Sequence, residues 1–331
     1  MTKQPGKSPK KTKSKKPSQP ALRLNTESVM HDVQRALDGK NFGSLEDVNA
    51  YLETLAGPGL KQALREADPL SVREDAQGLA FDAMDAESAE QAREFAQRAL
   101  ALDPDCVDAL VTMANLDARS AKEAIAGLEK AVEAGERSLG AQFFAENKGQ
   151  FWGILETRPY MRARAELAAL HHSEGHVRKA IGHYEAILDL NPNDNQGVRD
   201  ELLGCYLECA DLNGAGRLLK EYENDSMANF AWGRVLERYL SRDLAGARRA
   251  LAKARKCNGF VELYLSASKK LPGEMPAMYS PGSEEEAVLC MENLMGAWAK
   301  HRDALFWLLD RLLGSAPVRR PVSGVRGRGT Q

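Results

Sequence analysis

The side chains best suited to chemistry lie between Trp152 and Arg199. Three arginines, Arg158, Arg162 and Arg164, follow Trp152, Glu156 and Thr157, with Pro159 and Tyr160 among them. Guanidinium groups grip a carboxylate or phosphate in forked geometry, and a neighbouring Tyr160 or Trp152 would anchor the rest of a bound segment. The same residues admit a second reading: the aromatics dock the segment on the fold, and Glu156 pairs with one of the arginines. A second polar patch, Asn193, Asn195, Gln196 and Arg199, places amides beside a guanidinium, which suits a peptide backbone or a carboxylate. Asp194 or Asn195 as a helix N-cap explains part of that patch without a ligand.

Metal and catalytic chemistry find less support. His171, His172, His176 and His183, with Cys205 and Cys209 four apart, invite a metal. Gly175 interrupts the helix between His172 and His176, however, and neither a C-x-x-C nor an H-E-x-x-H spacing occurs. Cys205 and Cys209 share a helix face, where buried thiols behave as small apolar groups. No phosphate loop, dinucleotide fingerprint or nucleophile elbow appears, and no nucleophile has an orienting base. The acids Glu284 to Glu286 stand at a helix start, where they complement the dipole. The expectation is a protein without catalysis, cofactor or metal.

Composition sets the setting. With 331 residues, 43% of them apolar, the chain can build a continuous core. The net charge of −2 conceals an asymmetry: residues 1–23 carry eight Lys or Arg and no acid, residues 317–331 carry four Arg and no acid, and the body between is near −14. Both ends, rich in Lys, Ser, Pro, Gly or Arg, read as disordered basic tails. Seven lysines within residues 3–16 would give weak, salt-sensitive contacts to nucleic acid, yet no aromatic there can stack on a base. No apolar run approaches the roughly 20 residues of a membrane span. The lysine-rich start lacks an apolar segment after it, so neither a membrane nor a signal peptide is expected. Five scattered cysteines suit free thiols in a cytoplasmic setting.

The elements that must position these residues are helices. Apolar positions recur at helical period between the tails, and no run alternates at period two. Residues 24–57 read as an N-terminal helical hairpin, with Ser44 capping its second helix and the Gly57-Pro58-Gly59 break closing it. Ser283 with Glu286 makes a capping box that opens a C-terminal capping hairpin within 271–316, its second helix running from about Arg302 to Leu313. Between them, Ala92, Ala124, Ala180, Ala215 and Ala247 stand 32, 56, 35 and 32 residues apart. The long interval is one repeat period of about 34 plus an insertion of about 22. The insertion falls at about 133–159 and holds Phe143, Phe144, Phe151 and Trp152. In the best copy, Met161 to Asp194, small residues at Ala168 and Ala180 let two helices cross closely, and Pro192 stops the second.

Ala92 to Pro104 and Ala180 to Pro192 keep the same separation, and ALALDPDC parallels AILDLNPND. In these copies residues 69–270 resemble the tetratricopeptide repeat family. Over roughly 69–310, the strings DPDCVDALVTMA, FWGILETRPYMRARAELA, NPNDNQGVRDELL and MYSPGSEEEAV are similar to a bacterial, plant and fungal subfamily described as homologous to the suppressor of tumorigenicity 7 protein. The resemblance implies an all-α fold, a right-handed superhelix of antiparallel helix pairs whose concave groove holds a peptide or protein partner. The family's carboxylate clamp needs Lys, Asn and Arg on inner faces, where this chain has Ala165, Ala169, Asp200 and Gly204. The expected binding residues are therefore Trp152, Glu156, Arg158, Tyr160, Arg162, Arg164, Asn195, Gln196 and Arg199.

Overall fold

The structure, a computed structural model, describes residues 19–67 and 70–312. The tail expected at 317–331 and nearly all of that at 1–23 lie outside the described residues. Every regular element among the described residues is a helix, and no helix is long and apolar enough to cross a membrane.

The chain opens with α1 (Gln19–Leu37), α2 (Leu45–Thr54) and α3 (Pro58–Glu66). Ser44 caps α2, its Oγ accepting from the Asp47 amide at 3.1 Å. The Gly57-Pro58-Gly59 break lies between α2 and α3 and starts α3. Gly57 takes the left-handed φ of 62°, and Pro58, preset for a helix, becomes its first residue.

Five helix pairs follow: α4 (Val72–Met84) with α5 (Ala89–Leu102), α6 (Val107–Asp117) with α7 (Ala121–Asn147), α8 (Arg158–Ser173) with α9 (Val177–Leu190), α10 (Arg199–Glu208) with α11 (Leu212–Glu221), and α12 (Ala228–Leu240) with α13 (Leu244–Cys257). Each second helix has an N-cap at Ser88, Ser120, His176, Asp211 or Asp243. The repeat alanines Ala92, Ala124, Ala180, Ala215 and Ala247 each stand four residues past that cap, so the sequence period is a structural register. Four of the five are buried and Ala124 is partly so. A methyl group there lets the paired helices approach, as a larger side chain would not. First helices also touch along the chain, α4 with α6, α6 with α8, and α10 with α12.

The insertion packs on the fold. Its first half continues α7, which breaks at Gly140 (φ 78°). Its second half forms two short 3₁₀ turns, Phe151–Gly153 and Leu155–Thr157, that lead into α8. Phe151 is fully buried, 4.9 Å from the Phe144 ring and 6.3 Å from that of Tyr160. These contacts fasten the turns to the start of α8.

After the short α14 (Phe260–Leu265) the chain returns as α15 (Glu284–Lys300) and α16 (Arg302–Leu312), which pack together as a hairpin. Helix α15 lies across the first helices α10 and α12. The capping box expected at Ser283 is half formed. Ser283 Oγ accepts from the Glu286 amide at 3.2 Å, but the Glu286 carboxylate accepts from the Ala228 and Gly282 amides and from Asn258 Nδ2, tying α15 to the start of α12. A large apolar core runs from Val107 to Leu308, and a smaller, alanine-rich one joins α4, α5 and α6.

Candidate functional site

A helix turns about 100° per residue, so Arg158 and Arg162 fall on one stripe of α8, while Tyr160 and Arg164 lie roughly half a turn away. The expected patch is therefore divided between two faces.

On the first face the arginines meet α1. Arg162 Nη1 donates to both Glu27 oxygens at 2.8 and 2.9 Å, while its Nε and Nη2 donate to the two Asp108 oxygens at 3.2 and 2.5 Å. Gln77 Nε2 on α4 donates to Asp108 Oδ2 at 2.7 Å. Arg158 Nη1 lies 3.5 Å from Glu27 Oε2, its Nε donates to the Trp152 carbonyl at 3.1 Å, and its guanidinium rests over the Trp152 ring. The carboxylate side chains are nearly dry, Glu27 at 6% exposure and Asp108 at 3%. Burial lowers the Arg162 pKa, but Asp108 and then Glu27 outweigh it and hold the value above the ordinary one. Two cations balance two anions, and each anion comes from a different helix.

Further along the same stripe of α1, Met30 Sδ is 3.8 Å from Arg158 Nη1, and Gln34 Nε2 donates to the exposed Glu156 at 3.0 Å. Beneath α1 a cavity of about 260 Å³ is lined by His31, Arg35, Gln77, Phe81, Asp105 and Leu139. On its other flank Val29, Met30, Val33 and Leu37 border an open crevice with Gly153 and Leu155.

The opposite face of α8 is an internal network. Tyr160 is buried, its hydroxyl donating to Glu136 at 3.3 Å and accepting from Arg164. Burial is the main cause that raises its phenol pKa. A third set surrounds the turn before α10. Asp194 accepts from the Val198 and Arg199 amides at 2.8 and 3.2 Å, just ahead of α10, but the N-cap position is Val198 and not Asp194 or Asn195. Arg199 pairs with Asp194 and with Asp225, and its guanidinium lies over the Tyr222 ring. Gln196 Nε2 donates to the Met161 carbonyl at 3.2 Å, and Asn195 is exposed. The nine expected residues thus form three groups, and of them only Glu156, Arg158 and Arg162 meet α1, with Trp152 against the Arg158 guanidinium.

Glu27, Met30, Gln34, Gln77 and Asp108 complete that group and were not among the expected residues. Asp108 has one local signal, an acid beside Val107, Ala109, Leu110 and Val111 in an apolar helix start. Glu27 has none.

The fold does bring His171, His176 and His183 together. The His171 and His183 rings stack at 5.6 Å, and His171 Nδ1 lies 3.4 Å from His176 Nδ1. Burial is the first cause that pushes His183 down to about 4. Among the described residues no three His, Cys, Asp or Glu side chains are arranged to hold a metal, and all five cysteines are free.

The chain matches no protein-family model and no curated protein.

Proposed function

We propose that the protein is a non-catalytic scaffold that holds a helical segment of a protein partner against its first helices. The observation that carries this reading is α1 itself. The surface made by α4, α6 and α8 takes a helix, and it does so through a buried carboxylate set between two arginines. A surface that accommodates one helix by its backbone shape and a single charge is suited to accept another. The second half of the row offers less room, because α15 already lies over α10 and α12. The slot at Trp152, Glu156, Arg158 and Arg162 is therefore the binding region of choice, and Asn195, Gln196 and Arg199 serve the turn that positions α10.

Under this proposal the five pairs are tetratricopeptide-like units wound in a right-handed superhelix, with the slot on the concave side. The shared register of the repeat alanines and the contacts between successive first helices support that view. The strings similar to proteins homologous to suppressor of tumorigenicity 7 point the same way. A cytoplasmic location fits the five unpaired thiols.

The test is affinity capture from native lysate, with the full chain and with a form lacking residues 1–18 and 313–331, each with and without nuclease. A protein retained by the shortened form and released by Arg158→Ala with Arg162→Ala, at unchanged helicity, supports the scaffold. Retention that vanishes with the tails, with nuclease or with moderate salt places the interaction in the basic tails and makes nucleic acid the partner.

A further inference from the structure

Glu27, Met30 and Gln34 stand at i, i+3 and i+7 on α1, so they share one stripe. All three face the slot: the carboxylate on Arg162 and Arg158, the thioether by Arg158, the amide on Glu156. We propose that α1 is an exchangeable occupant of this slot, and that the partner is an amphipathic helix presenting a carboxylate, an apolar side chain three residues on and an amide seven residues on. The proposal rests on the scaffold reading and gives its partner a chemistry.

Three observations carry it. Among the described side chains of α1, the buried charge held by α8 is Glu27, while the His31 ring rests 5.8 Å from that of Phe81 on α4. Gln34 meets an exposed Glu156, and Arg35 lies 3.9 Å from a partly exposed Glu74.

The packing is loose. Among the described side chains of α1, residues 26–37, none belongs to either apolar core, a cleft of about 260 Å³ lies beneath it, and Val29 and Met30 are 51% and 40% exposed. Ala36, the buried residue near the end of α1, accepts a hydrogen bond from Tyr51 of α2 through its carbonyl. That end stays with α2 when the Glu27 end leaves.

The vacated slot also has a definite charge. Without Glu27, the buried set of Arg158, Arg162 and Asp108 has one positive charge in excess, which one carboxylate balances, while the exposed Glu156 stands in water at the rim. A second acid would be repelled by Asp108, and a basic or phosphorylated segment would leave the charge unmatched.

The probe is a fluorescein-labelled synthetic peptide of residues 24–40, titrated by anisotropy into the full-length protein. The tethered α1 competes at high effective concentration, so the wild type binds the probe weakly, and full-length Glu27→Gln binds it about tenfold or more tighter. The same peptide with its own glutamate changed to glutamine loses that gain. Met30→Ala with Gln34→Ala, at partly exposed positions, is the second variant and raises affinity without touching the ion pair. Amide exchange over residues 26–37 reports release of α1 in both variants, and circular dichroism reports the fold. Equal binding by wild type and both variants overturns exchange at this slot and leaves the scaffold reading standing, since a helix is then taken elsewhere. Exchange as slow in both variants as in the wild type makes α1 a fixed structural helix and overturns the proposal alone. A released α1 with no peptide binding overturns both, because the open slot then refuses the helix it was built around.

Discussion

Gly204 of α10 and Asn293 of α15 approach so closely that a Cβ on the glycine would overlap the Asn293 carbonyl oxygen. This contact lets α15 settle on α10, with Lys300 pairing with Glu208 at 3.3 Å and a His301 ring nitrogen 2.8 Å from the Leu207 carbonyl. A backbone oxygen cannot move aside as a side chain can. Gly204→Ala is therefore expected to destabilise the protein by about 1–3 kcal/mol in urea denaturation, the range for overpacking a fitted contact. Gly78→Ala in α4, where a Cβ meets nothing within 4 Å, is expected to stabilise slightly. Equal effects of the two changes would show that the α10–α15 approach is not tight in solution.

Asp108 depends on Arg162 more than Glu27 does. It lies in the wall formed by α4, α6 and α8, where Arg162 and Gln77 are its partners, whereas Glu27 can leave with α1. Arg162→Gln is expected to cost about 3 kcal/mol, because it strands a buried carboxylate. Adding Asp108→Asn should recover most of the loss. Glu27→Gln should leave the denaturation midpoint of the repeats nearly unchanged. Arg93→Gln, at the exposed pair with Asp117, should cost less than about 1 kcal/mol. A double variant as unstable as Arg162→Gln alone would show that the guanidinium acts by packing and not by charge.

Local signals in the sequence predicted local structure. The alanine spacing marks the start of each second helix because that position must be small wherever two helices cross, and Ser44 caps α2 because its partner is three residues away. The division of Arg158 and Arg162 from Tyr160 and Arg164 follows from helical phase alone, yet the expected patch joined all four. The partners of Arg162 were not: Asp108 is 54 residues away and Glu27 is 135. Neither separation leaves a trace in local pattern. Gly204 shows the same limit. As a sequence position it only lacks a clamp side chain, but in the fold it is the seat of α15. The Glu286 carboxylate fits a capping box by spacing, yet it is drawn to Asn258 and the start of α12 by contacts that appear only after the chain turns back.

Thiol reactivity should divide the cysteines. Cys106, Cys205 and Cys290 are buried, while Cys209 and Cys257 are partly exposed. Burial pushes Cys106 and Cys205 up to about 12 and Cys290 well above its ordinary value, with nearby carboxylates adding to the rise. The thiolate is the reactive species. Titration with an aromatic disulfide reagent at pH 8 should therefore modify Cys209 and Cys257 in the native protein and the other three only after denaturation. Rapid native modification of Cys205 would mean that α10 opens readily.

The acids at the start of α10 should set the pH response. Burial raises the Glu201 carboxyl to about 7; a backbone hydrogen bond opposes this, and Asp200, Asp194 and Glu292 add to it. Asp200 is also raised to about 7, by burial first, with Arg199 pulling down and Asp225 and Asp194 pushing up. In the unfolded chain both groups return to the ordinary carboxylate range near 4. Between about pH 4 and 7 the folded state therefore binds more protons than the unfolded one, so these groups make stability fall as pH rises, and the loss is complete above about 7. Glu201→Gln removes the cost of a buried charge while keeping the shape, and Glu201 Oε2 has no hydrogen-bond partner to lose. At pH 8 the substitution should stabilise the protein by on the order of 1–3 kcal/mol. At pH 4.5, where the native carboxyl is already protonated, the gain should nearly vanish. Denaturation midpoints across that range measure the difference directly. An offset independent of pH would mean that Glu201 titrates normally and that the start of α10 is more open to water than its packing against α15 implies.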